Sequence, residues 1–260
     1  CNAQLFDDSR PPNTYRNADN PHYWKNRPPY PGYWQQDVQY LIKARLNDET
    51  DILDGDLTLY YQNNSPDTLR EVFFHLYQNA YVNGSHLERQ MMDEGEDMRR
   101  YRDLPFAGTK VTQLTDGDDT LRTELDNTVM RVWLKNALLP GERAVFRIGF
   151  QTYWAMGLPR RMKLFSSWGW KHYDGVHWYP RIAVYDRKFG WDTQQHLGSE
   201  FYGDYGTYDV DLDLPHHYVL DATGVLQNPD QVMPPELRQK LDIANFKDKP
   251  WNEKPTVITP

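Results

Sequence analysis

A period of two constrains this chain more than any other feature. Val38, Tyr40, Ile42, Ala44 and Leu46 recur at alternate positions, as do Leu57, Leu59 and Tyr61, then Val72, Phe74 and Leu76. Further on, Ala144, Phe146, Ile148 and Phe150 repeat the pattern, and so do Val210, Leu212 and Leu214. Residues two apart share one face of a strand, whereas on a helix they diverge, so each run reads as a strand with one buried face. Turn clusters punctuate the runs: "NNSPD" at 63–67, "TDGDD" at 115–119 and Pro140–Gly141. The stretch across 63–67 reads as a hairpin, and Val219 to Ala222 as the partner strand of 210–214. Short strands separated by turn signals indicate an all-β sandwich or layered antiparallel sheets.

Two segments break the alternation. Residues 86–103, "HLERQMMDEGEDMRRYRD", are charged and rich in helix formers, and predict a short helical insertion with a solvated face. "PPELRQKLDIANF" begins with proline at a plausible first helical position and predicts a short C-terminal helix. The predicted organisation is an extended Pro/Asn-rich arm over 1–36, a β-domain over 37–228, and a helix with a linker over 229–260.

The chain has 260 residues, of which 39% are hydrophobic and 25% charged, a globular balance. Its 9 Trp and 18 Tyr suit pleated, half-buried surfaces and also ligand-stacking ones. A formal charge of −8 without any basic stripe argues against a nucleic-acid partner. No apolar run is long enough for a transmembrane segment. The sole cysteine is Cys1, so no intrachain disulfide or thiolate metal cluster can form. Three readings of it stay open: the lipid-bearing first residue of a bacterial lipoprotein, the tail of a signal peptide cleaved after "CNA", or chance. The first two place the protein outside the cytoplasm, in a bacterial periplasm, at the outer membrane or at the cell surface.

A search for chemistry finds no complete catalytic set. None of the eight histidines lies in HExxH or His-x-His, so no metal ligands are assigned. "LFSSWGW" does not supply a nucleophile elbow, and no phosphate-cradling glycine loop is present. Asp116, Asp118 and Asp119 read as an acidic turn, lacking the glycine and distal glutamate of an EF-hand. Glu200 beside Asp204 could be imagined as a glycosidase pair, but spacing alone gives no separation.

Several stretches, in order, resemble one family. "VQYLIKARLNDETDILDGDLTLYYQNNSPDTLREVFFHLYQNAY" resembles the opening of the gluzincin aminopeptidases, zinc metallopeptidases related to aminopeptidase N and leukotriene hydrolase. "LLPGERAVFRIGFQTYW" is similar to a recurrent strand of theirs. "HWYPRIAVYDRKFGW", with the segment that runs on to "DATGVLQN", is similar to their aromatic–proline crossover and the strands after it, in wording closest to the secreted bacterial branch. The resemblance covers roughly residues 37–228. It implies the saddle-shaped N-terminal β-domain of such an enzyme, with zinc and catalytic residues in a C-terminal domain of the same polypeptide. It thus implies no catalytic residue and no cofactor in this chain, zinc in the parent enzyme, and a peptide substrate. In the family a Gln or Glu just before the crossover holds the substrate's α-amine. The matching positions are Asp174 to His177, with His177 nearest, and a histidine there departs from the family pattern. A different class of reading is a free-standing module that binds glycan, or a partner in an envelope complex, through exposed aromatics.

Overall fold

The computed structural model describes residues 31–95, 108–154, 162–198, 201–242 and 252. Within them the chain forms two compact units. The larger, Gly32–Tyr218, holds all fourteen strands, and strands dominate the secondary structure, as the alternation predicts. The smaller, where described, carries two short helices, α2 (Pro229–Val232) and α3 (Pro235–Leu241), the latter entered through Pro235.

The main sheet has six strands: β1 (Asp37–Asn47), β2 (Ile52–Gln62), β4 (Gly108–Asp116), β5 (Asp119–Thr120), β8 (Arg143–Tyr153) and β14 (Gly206–Asp213), in the order β14-β1-β2-β8-β4-β5. A second sheet has the order β11-β3-β7-β6, from β3 (Leu69–His75), β6 (Arg122–Asp126), β7 (Val129–Leu138) and β11 (Arg181–Ile182). Two hairpins stand apart, β9 (Met162–Ser167) with β10 (Trp170–Gly175), and β12 (Tyr185–Asp186) with β13 (Gly190–Trp191).

The alternating residues of both sheets meet in one core. Tyr40, Ile42, Leu57, Leu59, Tyr61, Val72, Phe74, Val132, Phe146 and Ile148 are all buried within it. Phe74 of β3 meets Phe146 of β8 edge-on, with ring centroids 5.9 Å apart, which ties sheet to sheet. Gly55 on β2 lies opposite Phe150 on β8, and the absent Cβ leaves room for the ring.

Two expectations need correction. Residues 63–67 do not make a hairpin: β2 pairs with β1 and β8, whereas β3 pairs with β7 and β11. The turn instead carries the chain from one sheet to the other, because the buried faces of β2 and β3 confront each other across the core. Asn63 holds it, donating to Asp67 O (2.8 Å) and Leu138 O (3.2 Å) and accepting from the Ser65 hydroxyl (2.6 Å). Secondly, Val219–Ala222 forms no strand: Val219 is almost wholly exposed, and the strand-bearing unit ends at Tyr218. The sheets are antiparallel as expected, except that β14 runs parallel to β1. The predicted helical insertion is present where it is described: its helix, α1, is His86–Asp93, capped by the Ser85 hydroxyl accepting from Glu88 N (3.0 Å). Residues 96–103 of that insertion, the arm over 1–30, Cys1, Glu200 and most of the predicted linker lie outside the described residues.

Candidate functional site

The segment leading into the crossover is fastened at every second carbonyl. Trp154 Nε1 donates to Asp174 O (3.4 Å), Gln78 Nε2 to Val176 O (2.9 Å) and Thr152 Oγ1 to Trp178 O (2.6 Å). Trp154 and Thr152 come from the end of β8 and its flank, and Gln78 from the short 3₁₀ turn Tyr77–Tyr81 after β3. Between these anchors His177 adopts a left-handed backbone, φ +57°, which a side-chain-bearing residue rarely takes without support. Further along, the Tyr40 hydroxyl accepts from Ile182 N (3.1 Å), and Ala183 N donates to Phe73 O (2.7 Å). The crossover is therefore bonded to both sheets.

The pinned His177 ring enters an aromatic rim. Its centroid lies 3.7 Å from that of Phe201 and 4.8 Å from that of Tyr77. Tyr77 also stacks on His75 (4.9 Å, 7° between planes) and meets His196 edge-on (5.7 Å). His196 in turn stacks on Phe201 at 4.6 Å. Burial pushes the Tyr77 hydroxyl up to about 12, so it stays a neutral donor at physiological pH. Burial lowers the pKa of His75, against the pull of Asp192, whose Oδ2 is 3.8 Å from Nε2.

Beside the rim lies Arg181, paired in register with His75 and donating to Asp204 O (3.0 Å). Its charge sits among Tyr40, Tyr77, Tyr179 and Tyr208. Arg181 forms no ion pair with Asp186. Asp186 is instead buried in the β12–β13 turn, accepting from Lys188 N (2.9 Å), Phe189 N (2.8 Å), Tyr33 and Tyr202. Burial raises the Asp204 carboxyl to about 6, with Arg181 opposing and Asp186 reinforcing the shift.

Of the two residues singled out for substrate, His177 stands in the rim, and Asp174 does not join it. The Asp174 side chain is exposed on β10, across from Lys163 of β9. Trp178, Tyr179, Tyr185 and Trp191 pack against the core, in line with a structural role. His75, Tyr77, His196 and Phe201 carry no signal in the sequence, because only the two-sheet topology gathers them. The arrangement gathers aromatic faces, imidazoles and a guanidinium in one place, with His75 and Tyr77 buried and His177, His196 and Phe201 half-buried. Among the described residues no three His, Cys, Asp or Glu side chains converge to hold a metal, so zinc does not fit here. Nor is any described helix long and apolar enough to cross a membrane.

No family model and no curated protein matches the sequence. Solved structures similar to it include a mutant M1 zinc metallopeptidase from Deinococcus radiodurans bound to a Tyr-Ser-Ala substrate. That match has a TM-score of 0.44 and 16% identity, and covers 74% of this chain and 36% of that one. A two-domain M1 zinc metallopeptidase mutant bound to L-tryptophan matches with a TM-score of 0.41 and 16% identity, over 70% of this chain and 33% of that one. The M1 zinc metallopeptidase from Deinococcus radiodurans without the mutation gives 0.41 and 16%, over 74% and 35%. This chain thus spans about a third of their length.

Proposed function

We propose that this chain is the non-catalytic β-domain of an extracytoplasmic zinc metallopeptidase of aminopeptidase type. In this reading the rim around His177 forms one wall of the substrate cleft, and the domain docks on a catalytic domain of the same polypeptide that holds the zinc. The observation that carries it is the crossover 177–191, one of the segments that carry the family resemblance. It is bonded to both sheets and holds His177 in a costly backbone conformation beside Tyr77 and Phe201. Strain of this kind is kept where geometry matters. A neutral imidazole at that position can accept a hydrogen bond from a peptide's ammonium, whereas an imidazolium would repel it. The extracytoplasmic part of this reading rests on the wording of 177–228, which is nearest to the secreted bacterial branch of the family.

The test is the intact mass and zinc content of the mature protein from its own source, with hydrolysis of aminoacyl nitroanilides measured on the same sample. The reading expects a mass well above 30.8 kDa, about one zinc per chain and aminopeptidase activity whose KM rises in His177→Ala. A mass near 30.8 kDa without zinc would sink it.

One observation favours a second reading, a glycan-binding module. At the tip of the β9–β10 hairpin Trp168 is 96% exposed, and Trp170 and Phe165 are exposed beside it. Oligosaccharide that quenches tryptophan fluorescence in the native chain but not in Trp168→Ala/Trp170→Ala would support that reading.

A further inference from the structure

The edge strand β14 has two faces of opposite chemistry. Tyr208, Val210 and Leu212 lie in register with Tyr40, Ile42 and Ala44 of β1, on the side that faces the core. Tyr40 and Ile42 are each 1% exposed, yet Tyr208 is 40% and Val210 42% exposed. The apolar row of β1 is covered, whereas that of β14 is covered only in part: Tyr208 stacks on Tyr40 (4.8 Å) and Leu212 packs against the core, but Val210 and the outer side of Tyr208 stay open. Asp209, Asp211 and Asp213 occupy the other face, with only Asp213 in an ion pair, an exposed one with Arg45. The outer edge of β14 pairs with no strand among the described residues.

We infer that the free edge of β14 receives an extended strand of another polypeptide that alternates apolar residues with Lys or Arg. Main-chain bonding along the edge supplies affinity, and the side chains supply choice. The incoming apolar residues would extend the open row of Tyr208 and Val210, and the basic ones would fall beside the aspartates. A second copy is a poor occupant, because antiparallel pairing of β14 with itself sets aspartate beside aspartate on one face, and like charges across strands repel. The inference does not depend on the peptidase reading, since it concerns β14 alone.

The experiment titrates the full 260-residue chain into fluorophore-labelled, end-capped octapeptides, alternating Lys-Val in one case and Glu-Val in the other, and reads anisotropy. Lys-Val should bind about tenfold more tightly than Glu-Val, less so at high salt, and Asp209→Lys/Asp211→Lys should reverse the preference. Both aspartates are exposed, so circular dichroism and Tm should report an intact fold in that variant. Independently of any variant, bound Lys-Val should slow amide exchange within residues 207–212. Equal binding of the two peptides, no binding of either, or a concentration-dependent dimer of the chain itself would each overturn the inference. None of these outcomes bears on mass or zinc content, so failure here and failure of the peptidase reading remain distinct.

Discussion

Gly55→Ala should destabilise this protein although alanine is the better residue in most strands. The backbone at Gly55 does not have a positive φ, so any cost must be steric. A Cβ there would lie 2.2 Å from Cζ of Phe150, with Cε1 at 2.5 Å and Cε2 at 2.8 Å. Carbon atoms pack at about 3.5–4.0 Å, so the ring would have to retreat by more than about 1 Å. Phe150 is buried, with Trp178 at 6.3 Å between centroids, which restricts that retreat. Overpacking of this kind costs about 1–3 kcal/mol, against a gain of about 0.5–1 kcal/mol from reduced chain entropy. Taking the middle of each range, the net loss of about 1 kcal/mol corresponds to a Tm lower by roughly 2–4 °C for a chain of this size. Thermal unfolding followed by circular dichroism reads this directly. In a Phe150→Leu background the same substitution should become neutral or stabilising, giving a coupling of about 1 kcal/mol or more in the double-mutant cycle. An unchanged or higher Tm for Gly55→Ala alone would refute the reasoning.

Phe74→Ala, which empties the edge-on contact with Phe146 at the centre of the core, should cost about 3–5 kcal/mol in urea unfolding. The Asp204 carboxyl, held near 6 in the fold against an ordinary 3.8, binds its proton more tightly when folded, so stability falls as pH rises from about 4 to 6. Asp204→Asn should therefore raise Tm at pH 8 and leave it unchanged at pH 4, with a gain of roughly 1 kcal/mol once solvent screening is allowed for. His75 shows the opposite behaviour in acid. Its folded pKa lies below the ordinary 6.5, so stability is lost as pH drops through and below that value. His75→Phe, which keeps a ring against Tyr77, should show a smaller fall in Tm between pH 7 and pH 5 than the native chain.

The alternation at 38–46, 57–61 and 144–150 made the strands legible, because a buried face imposes a period of two whatever the strand's neighbours. Pairing was less legible. The turn at 63–67 has the composition of a hairpin, and only the packing of β2 against β3 face to face shows that it joins two sheets. Likewise the partner of β14 is β1, far away in sequence, and no local signal distinguishes it from the nearer Val219–Ala222. At the site, the resemblance pointed to the neighbourhood of His177, but Asp174 is turned away by the same alternation that orders β10. His75, Tyr77, His196 and Phe201 come from distant parts of the chain, and their meeting follows from tertiary geometry alone.

The parallel pairing of β1 with β14 joins Val38 to Gly206, and this sets an order of events during synthesis. A ribosome adding about 5–20 residues per second leaves the β14 side of β1 bare for roughly 8–35 s after β1 emerges. Contacts this distant also slow folding, because a long loop must close before they form. Throughout that interval β1 presents an open, apolar-faced edge to other nascent chains, so aggregation at birth should be the characteristic failure of variants that weaken β14. In the finished protein the acidic β14 takes over as the outermost strand of the sheet, replacing an indiscriminate edge with a selective one.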